Sequence, residues 1–419
     1  MKADALVLGA GMVGIATALH LIDRGRSVAL VDRRGPAGET SYGNAGLIQS
    51  EAVMPYAFPR DPGAILAVLA GRATAARIAP DALPATARWL LAYARHSGPA
   101  AVERTARANL PLVSRALAEH RALMARAGAT AALRPGGYLR LHRHARTLER
   151  ALRAEEAVRA RFGVAFEAWD ADRLAREEPH LSSGLAGAIH HPEPARVDDP
   201  GDVGRAYARL FERDGGTIVE GAALGLTREG SAWRLDTRTG AIRARDAVVA
   251  LGPWSGDLLR RFGVRLPLGV KRGYHMHYGA RGNAVLHRLA VDEDHGYVLA
   301  PQRRGIRLTT GAEFARRDDP PSPVQLARAE ATARGLFPIE DRLDVAPWLG
   351  ARPCLPDLLP VIGAVPGQSR LWVNTGHHHL GFTLGPVTGR LLAEMMTGAE
   401  PFADPAPYGA ARFAGARAR

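Results

Sequence analysis

The sequence predicts an α/β fold: a Rossmann-type nucleotide-binding domain carrying an inserted mixed, partly antiparallel sheet domain. Three observations predict it. A buried-strand pattern, Asp4-Ala5-Leu6-Val7-Leu8, opens the chain and runs straight into Gly9-Ala10-Gly11-Met12-Val13-Gly14. A helical apolar stripe and a second buried strand, Ser27-Val28-Ala29-Leu30-Val31-Asp32, follow at once, which makes a β-α-β unit. Between 217 and 311, short strand patterns are joined by tight turns, as antiparallel pairing requires.

Each element follows from its residues. Residues 12–24 read as a helix with Ile15, Leu19 and Ile22 on one face. Gly35 to Gly46 form a glycine-rich polar loop. Residues 62–163 are mostly helical, broken by Pro80, Pro84, Pro99 and Pro135 and by a short strand at 137–141. A helix is expected at 200–214 and strands over 217–250, turning at Gly230 and Gly240. Further strands fall at 268–278, 296–301 and 306–311, and a polar helix at 322–335. The end of the chain holds a strand at 371–375, a glycine and histidine turn, and a helix over about 384–398. The first two strands and the 371–398 unit belong to one parallel sheet. The tail after Pro401, rich in Ala, Pro and Arg, reads as loosely ordered.

Composition narrows the function classes. Hydrophobic residues are 47% and charged residues 23% of 419, which suits a large core and excludes a disordered chain. The single cysteine, Cys354, excludes a disulfide framework and a cysteine zinc site, and points to a reducing compartment. No long apolar stretch is free of charge, so no membrane-spanning helix is expected. Only four residues precede the apolar strand, so no signal peptide is expected. The expected location is the cytoplasm, with at most peripheral contact at the inner membrane. The net charge of +13 suggests an anionic partner. However, Lys2 and Lys271 are the only lysines, so 53 of the 55 basic residues are arginines, scattered through Ala-rich helices. No nucleic-acid partner is expected from that pattern. No Gly-x-Ser-x-Gly, HExxH or P-loop appears, which leaves hydrolase and NTPase readings without support.

The glycine motif carries the first chemistry. Gly9 permits the tight turn, Gly11 lets the backbone approach a pyrophosphate, and Gly14 lets helix and strand pack closely. The helix N-terminus offers N–H groups and partial positive charge to phosphates. Asp32 lies 18 residues beyond Gly14 at the end of the second strand, where its carboxylate can accept from a ribose diol. The motif does not by itself separate FAD from NAD.

Four further blocks carry a resemblance. They are Asp32 to Gly46, Ala247 to Ser255 (Ala-Val-Val-Ala-Leu-Gly-Pro-Trp-Ser), Gly350-Ala-Arg-Pro-Cys-Leu-Pro-Asp357 with Leu359-Pro-Val-Ile-Gly363, and Thr375-Gly-His-His-His-Leu-Gly-Phe-Thr383. In this order they resemble the D-amino-acid oxidase family of FAD-dependent oxidoreductases, most of all its bacterial D-amino-acid dehydrogenases. The resemblance implies oxidation of the CH–NH bond of a small amino or imino acid, with hydride passing to flavin N5. Related activities in the family are D-hydroxyproline dehydrogenase, glycine oxidase and the catalytic subunit of opine- or sarcosine-type oxidases. The resemblance also implies a discontinuous FAD domain, 1–60, 197–264 and 348–419, and a substrate domain, 61–196 and 265–347. It implies non-covalent FAD and an electron acceptor that is a quinone, oxygen or a partner subunit.

Carried over by position, Gly9, Ala10, Gly11, Met12, Val13 and Gly14 would cradle the pyrophosphate. Asp32 would bind the adenosine ribose, and Arg33 would lie near the adenine or phosphate. Thr40, Ser41, Asn44, Ala45, Gly46 and Leu47 would wrap the pyrophosphate and flavin, and Gly252 would mark a second crossing past the cofactor. Gly376, His377, His378, Leu380, Gly381 and Thr383 would surround the isoalloxazine ring. The following helix N-terminus would face the flavin N1–C2 carbonyl edge. The sequence departs from the commonest dehydrogenase pattern in its three consecutive histidines and in Leu47-Ile48-Gln49 after Asn44-Ala45-Gly46.

The resemblance makes Arg352, in Gly-x-Arg-Pro, the anchor of a substrate carboxylate, a task that suits a planar two-pronged guanidinium. Arg272 and the histidines are the alternative anchors. Tyr274 and Tyr297 lie on predicted strands, where they either line the pocket or pack the sheet. His379 is a candidate substrate contact. Three adjacent histidines converge poorly on one ion, so no metal is expected. Cys354 reads as a small buried hydrophobe rather than a flavin anchor.

Overall fold

The computed structural model describes residues 1–71 and 73–413. Strand β1 (Lys2–Leu8) leads through the glycine loop into helix α1 (Met12–Ile22) and strand β2 (Val28–Asp32). The chain then leaves for a helical excursion whose longest member is α2 (Pro99–Arg126). It returns as β3 (Thr217–Glu220) and β4 (Gly240–Val249), departs again along β5 (Gly269–Ala280), and comes back through β6 (Trp348–Cys354). Strand β7 (Leu371–Thr375) and helix α3 (Gly381–Thr397) close the fold.

Two large sheets result. In the first, β3, β2, β1 and β4 run parallel in that order, and β7 pairs parallel with the far end of β4. Their residues are nearly continuous Val, Leu and Ala, as strands covered on both faces must be. The expected antiparallel pairing is thus corrected for β3 and the end of β4. Only Thr227–Glu229, Ala232–Thr237 and the start of β4 form the hairpin-linked antiparallel set. The second sheet has eleven strands built around β5, which pairs antiparallel with Gly305–Thr310 and with β6. Trp348–Cys354, expected with the nucleotide-binding part, lies in the second sheet, held by register from Gly269↔Cys354 to His275↔Trp348.

Helix α3 begins at Gly381, three residues earlier than expected, preceded by a tight turn at His378–Leu380. It crosses α1 at close range. A Cβ on Gly385 would lie 2.7 Å from Met12, and one on Gly389 would lie 2.7 Å from the Thr17 nitrogen. This contact fixes where the N-terminus of α3 sits. Pro84 and Pro99 occupy first turns and so start helices rather than break them. Pro111 is accommodated inside α2.

The tail differs from expectation as far as it is described. Tyr408 is buried and bonds the Ala108 carbonyl, and Arg412 pairs with Asp357 at 2.7 Å. These two anchors order residues 402–413, and residues 414–419 lie outside the described set. No described helix is long and apolar enough to cross a membrane.

Candidate active site

The two sheets enclose one long cavity of about 1050 Å³. At one end the glycine loop turns from β1 into α1. Gly9 has φ +104°, and a Cβ there would lie 2.4 Å from the Ala250 carbonyl oxygen. A Cβ on Gly14 would lie 1.8 Å from the Gly9 carbonyl oxygen. Both positions therefore admit only glycine. Gly11 differs: its backbone is extended and its Cβ direction meets only Ser41 Oγ, at 3.3 Å. Its open side faces the cavity.

Asp32 is fixed by two backbone donors, the N–H of Ala10 and that of Arg34, each at 2.8 Å. A carboxylate has about four acceptor positions, so it keeps capacity for a diol. Arg33 lies over the Trp254 ring at 4.3 Å and pairs with Glu39. Ser41 Oγ accepts from the Met12 N–H at 2.9 Å, and Thr40 donates to the Ala351 carbonyl at 2.9 Å. The next turn is held from within. Asn44 Oδ1 accepts from the Gly46 N–H, and the buried Arg307 donates to the carbonyls of Tyr42 and Asn44. Burial lowers the Arg307 guanidinium to about 10.

Gly9, Gly11, Met12, Val13, Asp32, Arg33, Thr40, Ser41, Asn44, Ala45, Leu47 and Gly252 line the cavity. His377, His378, Leu380 and Gly381 line it further along, with Arg352, Tyr274 and His379. Five expected cofactor positions stand behind the wall. Ala10 holds Asp32, Gly14 packs α1, and Gly46 and Gly376 make turns of positive φ. Thr383 links the start of α3 to the Leu47 carbonyl and the Gln49 N–H, both at 3.2 Å.

The substrate candidates separate. Arg352 Nη1 donates to the Gly311 carbonyl at 2.9 Å and Nη2 to that of Thr310 at 3.2 Å. Its guanidinium runs past Gly273, where a Cβ would lie 2.5 Å from Nη2. No carboxylate pairs with it among the described residues, and burial pulls its pKa down. Arg272, on the other side of β5, is instead paired with Glu313 at 2.8 Å and is fully buried, which removes it as an alternative anchor. The Tyr274 hydroxyl is turned toward that same pair: it donates to Glu313 at 3.1 Å and accepts from the Ser322 N–H at 2.6 Å. Tyr297 is buried beside Asp292 and does not line the cavity. Tyr274 thus lines the cavity with its hydroxyl turned away from it, and Tyr297 packs within the sheet.

The three histidines diverge. His377 bonds Thr388 Oγ1 at 3.0 Å, and His378, with φ +56°, accepts from the Leu355 N–H at 3.3 Å. His379 lies 4.8 Å from the Tyr56 ring with a buried, unpartnered Nε2. Burial keeps all three neutral, with His377 and His379 lowered to about 3. Cys354 is buried and its thiol pKa is raised by that burial.

Sequence reasoning missed several wall residues. Trp348 blocks Gly43, where a Cβ would lie 1.9 Å from its ring. Lys271 on the wall, and Arg307 behind it, were also missed. For Lys271 a signal existed, since it is one of only two lysines in an arginine-rich chain.

A parallel sheet with this glycine turn, an acidic residue ending β2 and a cavity continuing to a second helix N-terminus defines a dinucleotide-dependent oxidoreductase. Residues 4–395 match the model of the DAO family, FAD dependent oxidoreductase, and the chain belongs to that family. It is 31% identical to the D-amino-acid oxidase of Bradyrhizobium diazoefficiens, over 97% of this chain and 98% of that protein. It is also 31% identical to the D-amino acid dehydrogenase of Chromohalobacter salexigens, over 98% and 99%. Among solved structures, glycine oxidase from Geobacillus kaustophilus superposes with a TM-score of 0.75 at 23% identity, covering 97% of this chain and 98% of that one.

The residues present fit FAD. Gly11 opens onto the cavity without a side chain, Asp32 retains acceptor positions, and the N-terminus of α3 lies at the far end of the same cavity.

Proposed function

We propose that the chain oxidises the CH–NH bond of a small amino or imino acid of the D-amino-acid class to the imino acid, which water hydrolyses to the 2-oxo acid. The observation that carries this reading is Arg352, a cavity-lining guanidinium bonded only to carbonyl oxygens. A buried guanidinium without a carboxylate partner among the described residues favours an anion, and an α-carboxylate matches its fork. Bound FAD, held non-covalently, supplies the hydride acceptor.

The chain's own contribution is placement. Arg352 grips the carboxylate, and Gly273 leaves the guanidinium its room. The neutral His379 Nε2 offers a partner to the substrate amine, and the apolar ring of Tyr56 closes on that imidazole. Fixing orientation in this way supplies most of what a hydride transfer needs from a protein. The names of the similar oxidase and dehydrogenase support the class. We also propose that the domain boundary falls after Cys354, because β6 is a strand of the second sheet.

The test is anaerobic mixing of the purified flavoprotein with a panel of D- and L-amino acids, D-hydroxyproline and sarcosine. Bleaching of the flavin band by D-amino or imino acids, with 2-oxo acid formed, is expected. A panel that leaves the band intact would refute the reading.

A further inference from the structure

Lys271 faces Arg352 directly across the β5–β6 ladder, and both line the cavity. Its ammonium lies 4.1 Å from the centre of the Tyr93 ring, with Phe314 at 5.6 Å and Trp89 at 5.8 Å. No carboxylate pairs with it among the described residues; the titratable groups around it are Cys354, Arg352 and the neutral His378 and His379. Several interior cations are matched by carboxylates, whereas the buried Arg307 is held by carbonyls and His277. Arg272 has Glu313, Arg143 has Asp292, and Arg140 has Glu155 and Glu293.

Two unmatched like charges opposite each other in a ladder destabilise it, and burial raises that cost. Aromatic faces offset part of the cost for Lys271, and carbonyls part of it for Arg352. They do not remove the mutual repulsion. An occupant carrying two negative charges would.

We propose that Lys271 is a specificity-determining residue that binds a second carboxylate, so that the preferred substrates are amino acids with an acidic side chain or an N-carboxyalkyl arm. This rests on the carboxylate-anchoring reading of Arg352. Register places both cations on the same face of the sheet at opposed positions. The apolar ring wall excludes water around the ammonium and sharpens its discrimination between a carboxylate and its amide.

The experiment compares kcat/KM for D-glutamate and D-glutamine, and for D-aspartate and D-asparagine, in the wild-type holoenzyme and in Lys271→Met and Lys271→Arg. The wild type should favour each acid over its amide at least tenfold. Lys271→Met should lower that ratio at least tenfold, and Lys271→Arg should restore part of it. The wild-type ratio is decisive even if Lys271→Met fails to fold. Equal use of acid and amide by the wild type overturns the inference, and so does an unchanged ratio in a folded Lys271→Met. In either case neutral amino acids still bleach the flavin, and the reading of Arg352 stands. If no amino acid of either kind bleaches it, both fall.

Discussion

Substituting alanine at Gly11 and at Gly14 separates cofactor binding from folding. At Gly14 an added Cβ meets the Gly9 carbonyl oxygen at 1.8 Å and its carbon at 2.9 Å, both backbone. Relief requires α1 to move off β1 by more than an ångström, which places the change among core overpacking events of ~3 kcal/mol or more. For a protein of this size that lowers Tm by roughly 3 °C or more. At Gly11 the same Cβ meets only the Ser41 hydroxyl, at 3.3 Å, and the backbone, φ −71° and ψ 175°, suits any residue. Reduced freedom of the unfolded chain favours alanine by about 0.4–1 kcal/mol, while its poorer N-capping opposes it by a similar amount. The apoprotein Tm should therefore stay within about 1 °C. The methyl does project toward the pyrophosphate path, where overfilling by ~1–3 kcal/mol weakens FAD binding about 5- to 150-fold. Apoprotein is titrated with FAD by quenching of flavin fluorescence, beside thermal melts of each variant. Wild-type FAD affinity in Gly11→Ala, or a Gly11→Ala that melts as low as Gly14→Ala, would refute the reasoning.

Three further outcomes are expected. Arg307→Ala leaves the Tyr42 and Asn44 carbonyls without their donor, at ~1–3 kcal/mol each. FAD affinity should fall at least tenfold, and an unchanged Kd would show that the 42–44 turn does not need it. Cys354→Ala should remain yellow, and acid precipitation of the wild type should release its flavin into the supernatant; flavin retained on the pellet would mean a covalent link. His120, bonded to Tyr207 and the Phe382 carbonyl, is lowered to about 4 by burial. Its ordinary value is 6.5, so on acidification the unfolded chain takes up a proton first. Stability present above pH 6.5 is then lost as pH falls toward 4. His120→Gln should flatten that part of the Tm–pH curve, and parallel curves would exclude the contribution.

The nucleotide-binding half was legible because its signals are local. The glycine turn, the buried strands and Asp32 each announce themselves within a few residues, and β7 spans the expected 371–375. The second sheet was less legible because strand periodicity does not say which face meets the cavity. Tyr274 lines the cavity, but its hydroxyl is held by Glu313, 39 residues away, a contact the local pattern does not show. Lys271 and Arg272 are neighbours in sequence and opposite in role for the same reason. The tail misled because composition does not reveal that Tyr408 finds the Ala108 carbonyl 300 residues away.

The most direct test of the account is anaerobic flavin reduction by Arg352→Ala, with a D-amino acid that bleaches the wild type. Removing one partner of a buried, charge-assisted pair costs roughly 2–5 kcal/mol, about 30- to several-thousand-fold. The variant should keep its flavin spectrum and lose that much kcat/KM, with Arg352→Lys recovering only part. A yellow Arg352→Ala that reduces within about threefold of wild type, less than 1 kcal/mol, would contradict it.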